Sequence, residues 1–398
     1  MNSNQIISGF FKKGQDYFCI RDNSRSFEPC PIEEIKNLDY FHALEKEYKH
    51  NATGENVFRF NYGPSTGGMV ETVDFKIYTY GERILSVDIL PEFKRREIKI
   101  THEKLDNALL KMERLNGFHS FSYSTLLCSS LERLEGIGIP DDVRVKRILL
   151  METERIISHI FKTARLCEAA SQNIASYQLL ALREKMMRSV AEITGHRYMF
   201  GINKIGGLYR DFEPSRLIQM VKEAVREYSQ IRDGLYVSRI FIDRIENTCK
   251  ISVPFSRGPT MRASGYAYDY RKMDPYYADL DFSIVTENGS DSLARFQVFA
   301  GEIKTSLEIM ERAIEQKNAD DFMPEPLENE IFGVETPSGD ARMFLEMEDN
   351  KISNIYLRTP SMLNLEAFAR GICGNVKTDI PFAYESFGIW ISELGELL

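Results

Sequence analysis

GPTMRASGYAYDYRKMDPYYADLDF, residues 258–282, holds five tyrosines together with Arg262, Asp269, Arg271, Lys272, Asp274, Asp279 and Asp281, and its apolar residues follow neither a helical nor an alternating period. Gly258-Pro259, Gly265 and Asp274-Pro275 punctuate the backbone, so the segment reads as an ordered loop. Its Arg/Asp pairs are expected to lock it against neighbouring helices, a role that outranks direct catalysis for any one of them. Long loops this crowded with chemistry tend to lie beside a functional site.

Periodic segments surround this loop. After it, Leu293 to Glu315 spaces Leu293, Phe296, Ala300, Ile303, Leu307, Met310 and Ile314 as one apolar stripe, a core-facing helix. Before it, helices are predicted from Pro214 to about Glu246, from about Tyr177 to Ile193, and as a long element after Pro140, with Asp141 and Asp142 at the positive end of its dipole. Further back, a helix around Thr125 to Leu134 stops at Gly136, and Thr101 is read as the cap of one reaching about Leu115. VFRFNYG from Val57, then METVDFKIYTY and RILSVDIL across a Gly81-Glu82 turn, alternate as antiparallel strands. MFLEMED and KISNIYLR flank Asp349-Asn350 as a second hairpin before TPSMLNLEAFARGI returns to helix. The first fifty residues are mixed, with a helix expected near Ile32 to Lys49. The fold class is therefore α+β, a mainly helical bundle core with peripheral antiparallel β-hairpins, divided into an N-terminal appendage (1–56) and one domain (57–398).

The formal net charge of −9 and the absence of any basic run longer than Lys94-Arg95-Arg96 argue against nucleic-acid binding. No apolar run approaches the roughly 20 residues needed to span a bilayer, and MNSNQIISGFFKKG lacks a signal-peptide core, so a cytoplasmic location is expected. Cys19, Cys30, Cys128, Cys167, Cys249 and Cys373 show no CxxC spacing and read as buried free thiols. No Walker A, GxGxxG or GxSxG motif occurs.

Several short segments, in order, resemble the [NiFe]-hydrogenase large subunit and its relative, the D subunit of NADH:quinone oxidoreductase (complex I). They are Gly63-Pro64, ETERIISH from Glu152, LREK from Leu182, TGHRYMFGINKIGG from Thr194, GPTMRASG with DPYYADLDF, ARF from Ala294, RTPS from Arg358, and DIPFAYESFGIWISE from Asp379. The resemblance implies a cavity between helical bundle and N-terminal hairpin, where a hydrogenase holds nickel and iron on two CxxC pairs. Thiolates suit that task because soft anionic sulfur binds the metals and tunes their potential. Aligning RLNGFHSFS from Arg114 puts Asn116 and His119 at the first pair, and SFGIWIS puts Trp390 and Glu393 at the second. Cys128 and Cys373 lie outside these motifs.

The resemblance therefore implies no metal on this chain and points toward the complex I branch, where the cavity takes a quinone headgroup. Thr66 stands at that branch's hairpin histidine, Gly117 at its tyrosine and Ser338 at its cationic residue before Gly339, and Arg95-Arg96-Glu97 replaces His-Arg-Gly. The expected catalytic pair is His119 and Glu393, with Asn116, Thr66 and Arg95 binding the acceptor. His159 is read as a helix-packing residue, and Arg183 and Glu184 as partners of the crowded loop. The implied function is the large, D-type subunit of a membrane-associated, ion-translocating respiratory oxidoreductase. It would work only within a complex and bind no cofactor of its own, with electrons from iron-sulfur clusters in a small subunit and antiporter-like membrane subunits as further partners. The implied location is the cytoplasmic face of the membrane. A quinone site rebuilt from other residues and a non-catalytic scaffold are the alternatives.

Overall fold

The computed structural model describes residues 6–65, 69–94, 96–251, 253–317, 320–323 and 330–397. Twelve helices appear among them: α1 (Ile32–Lys36), α2 (Phe41–Leu44), α3 (Leu105–Met112), α4 (Ser120–Leu134), α5 (Asp141–Ala169), α6 (Asn173–Thr194), α7 (Pro214–Tyr236), α8 (Arg239–Ile245), α9 (Pro259–Arg262), α10 (Ser292–Glu315), α11 (Pro360–Gly371) and α12 (Ile380–Phe387). The axis is α5, against which α4, α6, α7, α10 and α12 all pack. It is buried on nearly every face although much of its sequence is polar. That is possible because those polar groups find partners from the surrounding elements.

Three antiparallel sheets of three strands lie around this bundle. The N-terminal sheet joins Ile7–Lys13, Asp16–Arg21 and Phe27–Pro29; the middle sheet joins Phe58–Tyr62, Asp74–Tyr80 and Arg83–Leu90. The C-terminal sheet joins Phe332–Thr336, Gly339–Glu348 and Lys351–Arg358. The two expected hairpins are present, with Ile77 opposite Val87 and Leu345 opposite Ile355. The N-terminal sheet packs on the C-terminal one, where Phe11 stacks on Phe344 at 4.3 Å.

Four local readings are corrected and one strand is added. The segment from Ile32 to Lys49 is two short helices, α1 and α2. Thr101 caps nothing: the chain turns through His102 in the left-handed region, and α3 begins after Lys104. The helix expected from Pro214 to Glu246 breaks at Val237-Ser238, because the Ser238 hydroxyl accepts from the Phe241 N–H and caps α8 as a new start. Phe332–Thr336 is a strand that alternation did not reveal. Cys373 is exposed, while the other five cysteines are buried.

The loop of residues 258–282 is ordered by its charges, as expected. Arg262 Nε donates to Glu302 on α10 (2.7 Å) and its Nη1 to Glu335 on the C-terminal sheet (2.9 Å). Arg271 bridges Asp269 (2.7 Å) and Glu152 on α5 (3.0 Å), and the Tyr277 hydroxyl donates to the same Glu152 (2.8 Å). Asp269 and Asp274 each cap a short 3-10 turn, accepting from Arg271 N and Tyr276 N. His159 Nε2 meets Glu302 at 2.8 Å, so it is a packing residue, as its place in the helix suggested.

Candidate functional site

The start of α4, the middle of α5, the start of α11 and the final turn of the chain converge on one buried cluster. Asn116 and His119 lie in the turn that leads into α4, and the turn is held by the Asn116 side-chain carbonyl, which accepts from Phe118 N (3.0 Å). Glu154 on α5 fastens the beginning of α4 by accepting from Phe121 N (2.7 Å) and Ser122 N (3.0 Å). Burial pushes the Glu154 carboxyl up to about 7, against the pull of those donors.

His119 and Glu393, distant in sequence, meet at 2.9 Å through Nδ1 and Oε1. Asn116 Nδ2 donates to the same oxygen (2.8 Å), and the Ser361 hydroxyl donates to Oε2 (2.6 Å). His119 Nε2 lies 3.1 Å from the Ser158 hydroxyl on α5. All five side chains are buried. Burial pushes the His119 imidazole down to about 4, outweighing the attraction of Glu393. The Glu393 carboxyl is pushed up by burial, but the bonds from His119, Ser361 and Asn116 hold it below its usual range. At neutral pH the arrangement is thus a neutral imidazole donating from Nδ1 to a carboxylate and accepting at Nε2 from Ser158. The buried Tyr123 hydroxyl is pushed well above its usual range by burial and then by Glu393 beside it.

Trp390 fills the remaining aligned position. Its ring stacks on Phe118 at 4.4 Å and meets His119 edge-on at 5.7 Å, and Phe118 stacks in turn on Phe161 at 5.1 Å. Arg183 lies over Phe161 and Phe118, at 4.6 and 5.1 Å. Arg183 therefore caps this aromatic stack rather than joining the crowded loop, and Glu184 is bonded to Arg188 (2.9 Å) and Arg197. All four aligned positions meet in space. The donor set they form is two amide or ring nitrogens and a carboxylate, already bonded among themselves, with an indole ring packed edge-on against the imidazole, and it does not fit a metal centre built on thiolates. Among the described residues no group of three or more His, Cys, Asp and Glu side chains could hold a metal ion.

Lys162, two turns after Glu154 and one after Ser158, completes the α5 face of the site. Its Nζ donates to the Pro337 carbonyl (2.7 Å) and the Ser338 hydroxyl (3.0 Å). Gly388 makes room for it, since a Cβ there would lie 2.7 Å from Lys162 Cε. Sequence reasoning missed Lys162, Ser158, Ser361 and Glu154. The available signal was the spacing of four that puts Glu154, Ser158 and Lys162 on one helix face, the first two of them in ETERIISH, and for Ser361 its place in RTPS.

Asn116, Gly117 and Phe118 also face outward, onto a cleft of about 260 Å³ lined further by Glu71, Lys94, Arg96, Arg114, Tyr198, Phe200 and Ser392. Thr66 and Arg95, the other expected acceptor-binding residues, lie outside the described residues.

Comparison with known proteins bears on this geometry. A family described as "Respiratory-chain NADH dehydrogenase, 49 Kd subunit" matches residues 174–330. The chain is 26% identical to the D 1 subunit of NADH-quinone oxidoreductase from Chloroherpeton thalassium, over 80% of this chain and 82% of that one. It is also 26% identical to formate hydrogenlyase subunit 5 of Escherichia coli, over 92% and 67% respectively. The chain is thus similar both to D-type subunits of complex I and to hydrogenase-related subunits. Its fold is that of a chain in the membrane-bound sulfane sulfur reductase, an archaeal respiratory membrane complex, with a TM-score of 0.76 at 21% identity, covering 86% of this chain and all of the other. Among the described residues no helix is long and apolar enough to cross a membrane.

Proposed function

We propose that this chain is the D-type subunit of a membrane-associated, ion-translocating oxidoreductase, without a nickel-iron centre, and that His119 and Glu393 couple a proton to an acceptor in the adjoining cleft. One observation carries the reading: His119, Glu393 and Asn116 form one buried hydrogen-bonded unit at the aligned ligand positions, and Asn116 also lines the cleft. Similarity to subunits of such complexes supports a place within one. Electrons would arrive from an iron-sulfur small subunit, with membrane subunits beside it, and the chain would sit on the cytoplasmic face through these partners.

The chemistry belongs to the pair. Glu393 holds the imidazole with its proton on Nδ1, and Ser158 holds the opposite nitrogen. An imidazole kept neutral by burial takes up a proton only when negative charge develops nearby, which is the condition a proton-coupled reduction creates. Asn116 fixes the carboxylate from the cleft side, with its carbonyl and one amide hydrogen already committed.

His119→Ala and Glu393→Gln are each expected to lower acceptor turnover of the assembled complex by at least about tenfold, roughly 1.4 kcal/mol in barrier, with unchanged subunit composition. Wild-type turnover in both variants would remove the pair from the mechanism and leave the chain a docking role.

A further inference from the structure

The cleft over Asn116 has an aromatic wall, Phe118, Tyr198 and Phe200, and a cationic rim, Lys94, Arg96 and Arg114. Arg114 lies over the Phe200 ring, with its guanidinium carbon 4.1 Å from the centroid, and Arg96 Nη1 donates to the Arg114 carbonyl. Among the described residues neither guanidinium forms an ion pair, and both side chains are exposed. Lys94 is 4.0 Å from Glu71. That carboxylate is a weak counter-charge: it is buried, accepts from Ser392 N at 3.0 Å, and burial pushes its protonation up. Glu113, the acid next to Arg114 in the chain, is also buried, accepts from Gly201 N at 2.9 Å, and is pushed up to about 7.

The chain as a whole carries 59 acidic against 50 basic residues, so two guanidiniums free of ion pairs beside one concave site reverse the sign of the molecule locally. One planar fork set against a ring face and a second set by a carbonyl, neither spent on an ion pair among the described residues, are suited to receive an oxyanion. An uncharged acceptor would leave that arrangement unused.

We infer that the cleft binds an anionic acceptor, its flat apolar body against Phe118, Tyr198 and Phe200 and its negative head between Arg96 and Arg114. This rests on the reading of the site as an acceptor site and adds the charge class of what enters it. The head at the rim leaves the other edge of the molecule facing Asn116, the cleft-side member of the His119 and Glu393 unit.

The test uses the purified full chain and two isosteric probes, naphthalene sulfonate and the uncharged naphthalene sulfonamide, titrated by calorimetry. The sulfonate is expected to bind about tenfold tighter at low salt, with the preference shrinking as ionic strength rises. In the double variant Arg96→Gln/Arg114→Gln the preference should vanish, and in Lys304→Gln, a surface lysine on α10, it should persist. Thermal unfolding of each variant checks that it folds. Equal affinity for the two probes, or a preference that survives the double variant, overturns the inference. Its outcome is separate from that of the turnover experiment. An anion preference combined with wild-type turnover in His119→Ala complexes keeps the anion site and removes only the proton role.

Discussion

Lys162 is a buried ammonium whose hydrogen-bond partners among the described residues, Pro337 and Ser338, are neutral, and the acids that act on it, Glu302 and Glu393, are engaged elsewhere. Burial pushes its amine down to about 7 from an ordinary value of 10.5, although Glu302 and Glu393 pull the other way. A base depressed in the folded state binds fewer protons there than when unfolded, so stability rises with pH across that interval. Below about 7 the folded protein bears the full cost of the buried charge, and above 10.5 the cost is gone. Lys162→Met removes the titration. Wild type should therefore gain stability relative to this variant between pH 7 and 10, measured by urea denaturation at several pH values; a flat difference would mean that Nζ is hydrated in the folded state. Lys162 also shows the limit of reading site residues by alignment. Ser338 marked a cation as missing, but the cation beside it comes from α5, and only packing brings the two together. The meeting of His119, Asn116 and Glu393 was legible because motif positions carry them.

At the scale of elements, α4 is the part on which the site depends. Its cap residue, His119, makes no capping side-chain bond of its own, and among the described residues Glu154 is the side chain that supplies acceptors to the first N–H groups. Glu154→Ala should cost about 1–3 kcal/mol in urea denaturation. It should also lower turnover more than stability loss elsewhere would, because His119 sits at the end it loosens. Turnover equal to wild type would detach the cap from the site. The elements themselves were unevenly legible. Long amphipathic helices such as α10 and the hairpin at Asp349-Asn350 declare themselves by period and turn residues. Phe332–Thr336 does not, because Gly333 interrupts it to clear the Tyr270 ring, where a Cβ would approach to 2.4 Å. That contact belongs to the loop of residues 258–282, and nothing local to the strand announces it. Likewise α7 and α8 read as one helix because Ser238 is unremarkable until its hydroxyl caps Phe241.

Across the whole molecule, buried guanidiniums tie the N-terminal segment to the rest of the chain. Arg257 is paired with Asp22 at 3.2 Å and faces Asp340 at 3.6 Å, and Arg342 donates to the Ser24 carbonyl. Both guanidiniums are fully buried, and Phe11 of the same segment covers Phe344 and Tyr356. A chain beginning at residue 57 would therefore keep Arg257 buried with one acid instead of two, leave Arg342 short of an acceptor, and expose two aromatic rings. Removing one partner of a buried pair costs about 3–5 kcal/mol, because the remaining charge stays desolvated. Uncovering two large rings adds about 1.5–3 kcal/mol for each ring that becomes fully exposed. Whole domains are stable by only about 5–15 kcal/mol, so the truncated chain should be marginal, melting far below the full chain or failing to accumulate as a folded protein. Asp22→Asn in the full chain isolates the charge from the covered surface. It should cost less than the truncation, since the amide still fills the space and can still meet Arg257 through its oxygen. Equal melting temperatures for the full chain and the chain from residue 57 would show that residues 57–398 hold their charges unaided.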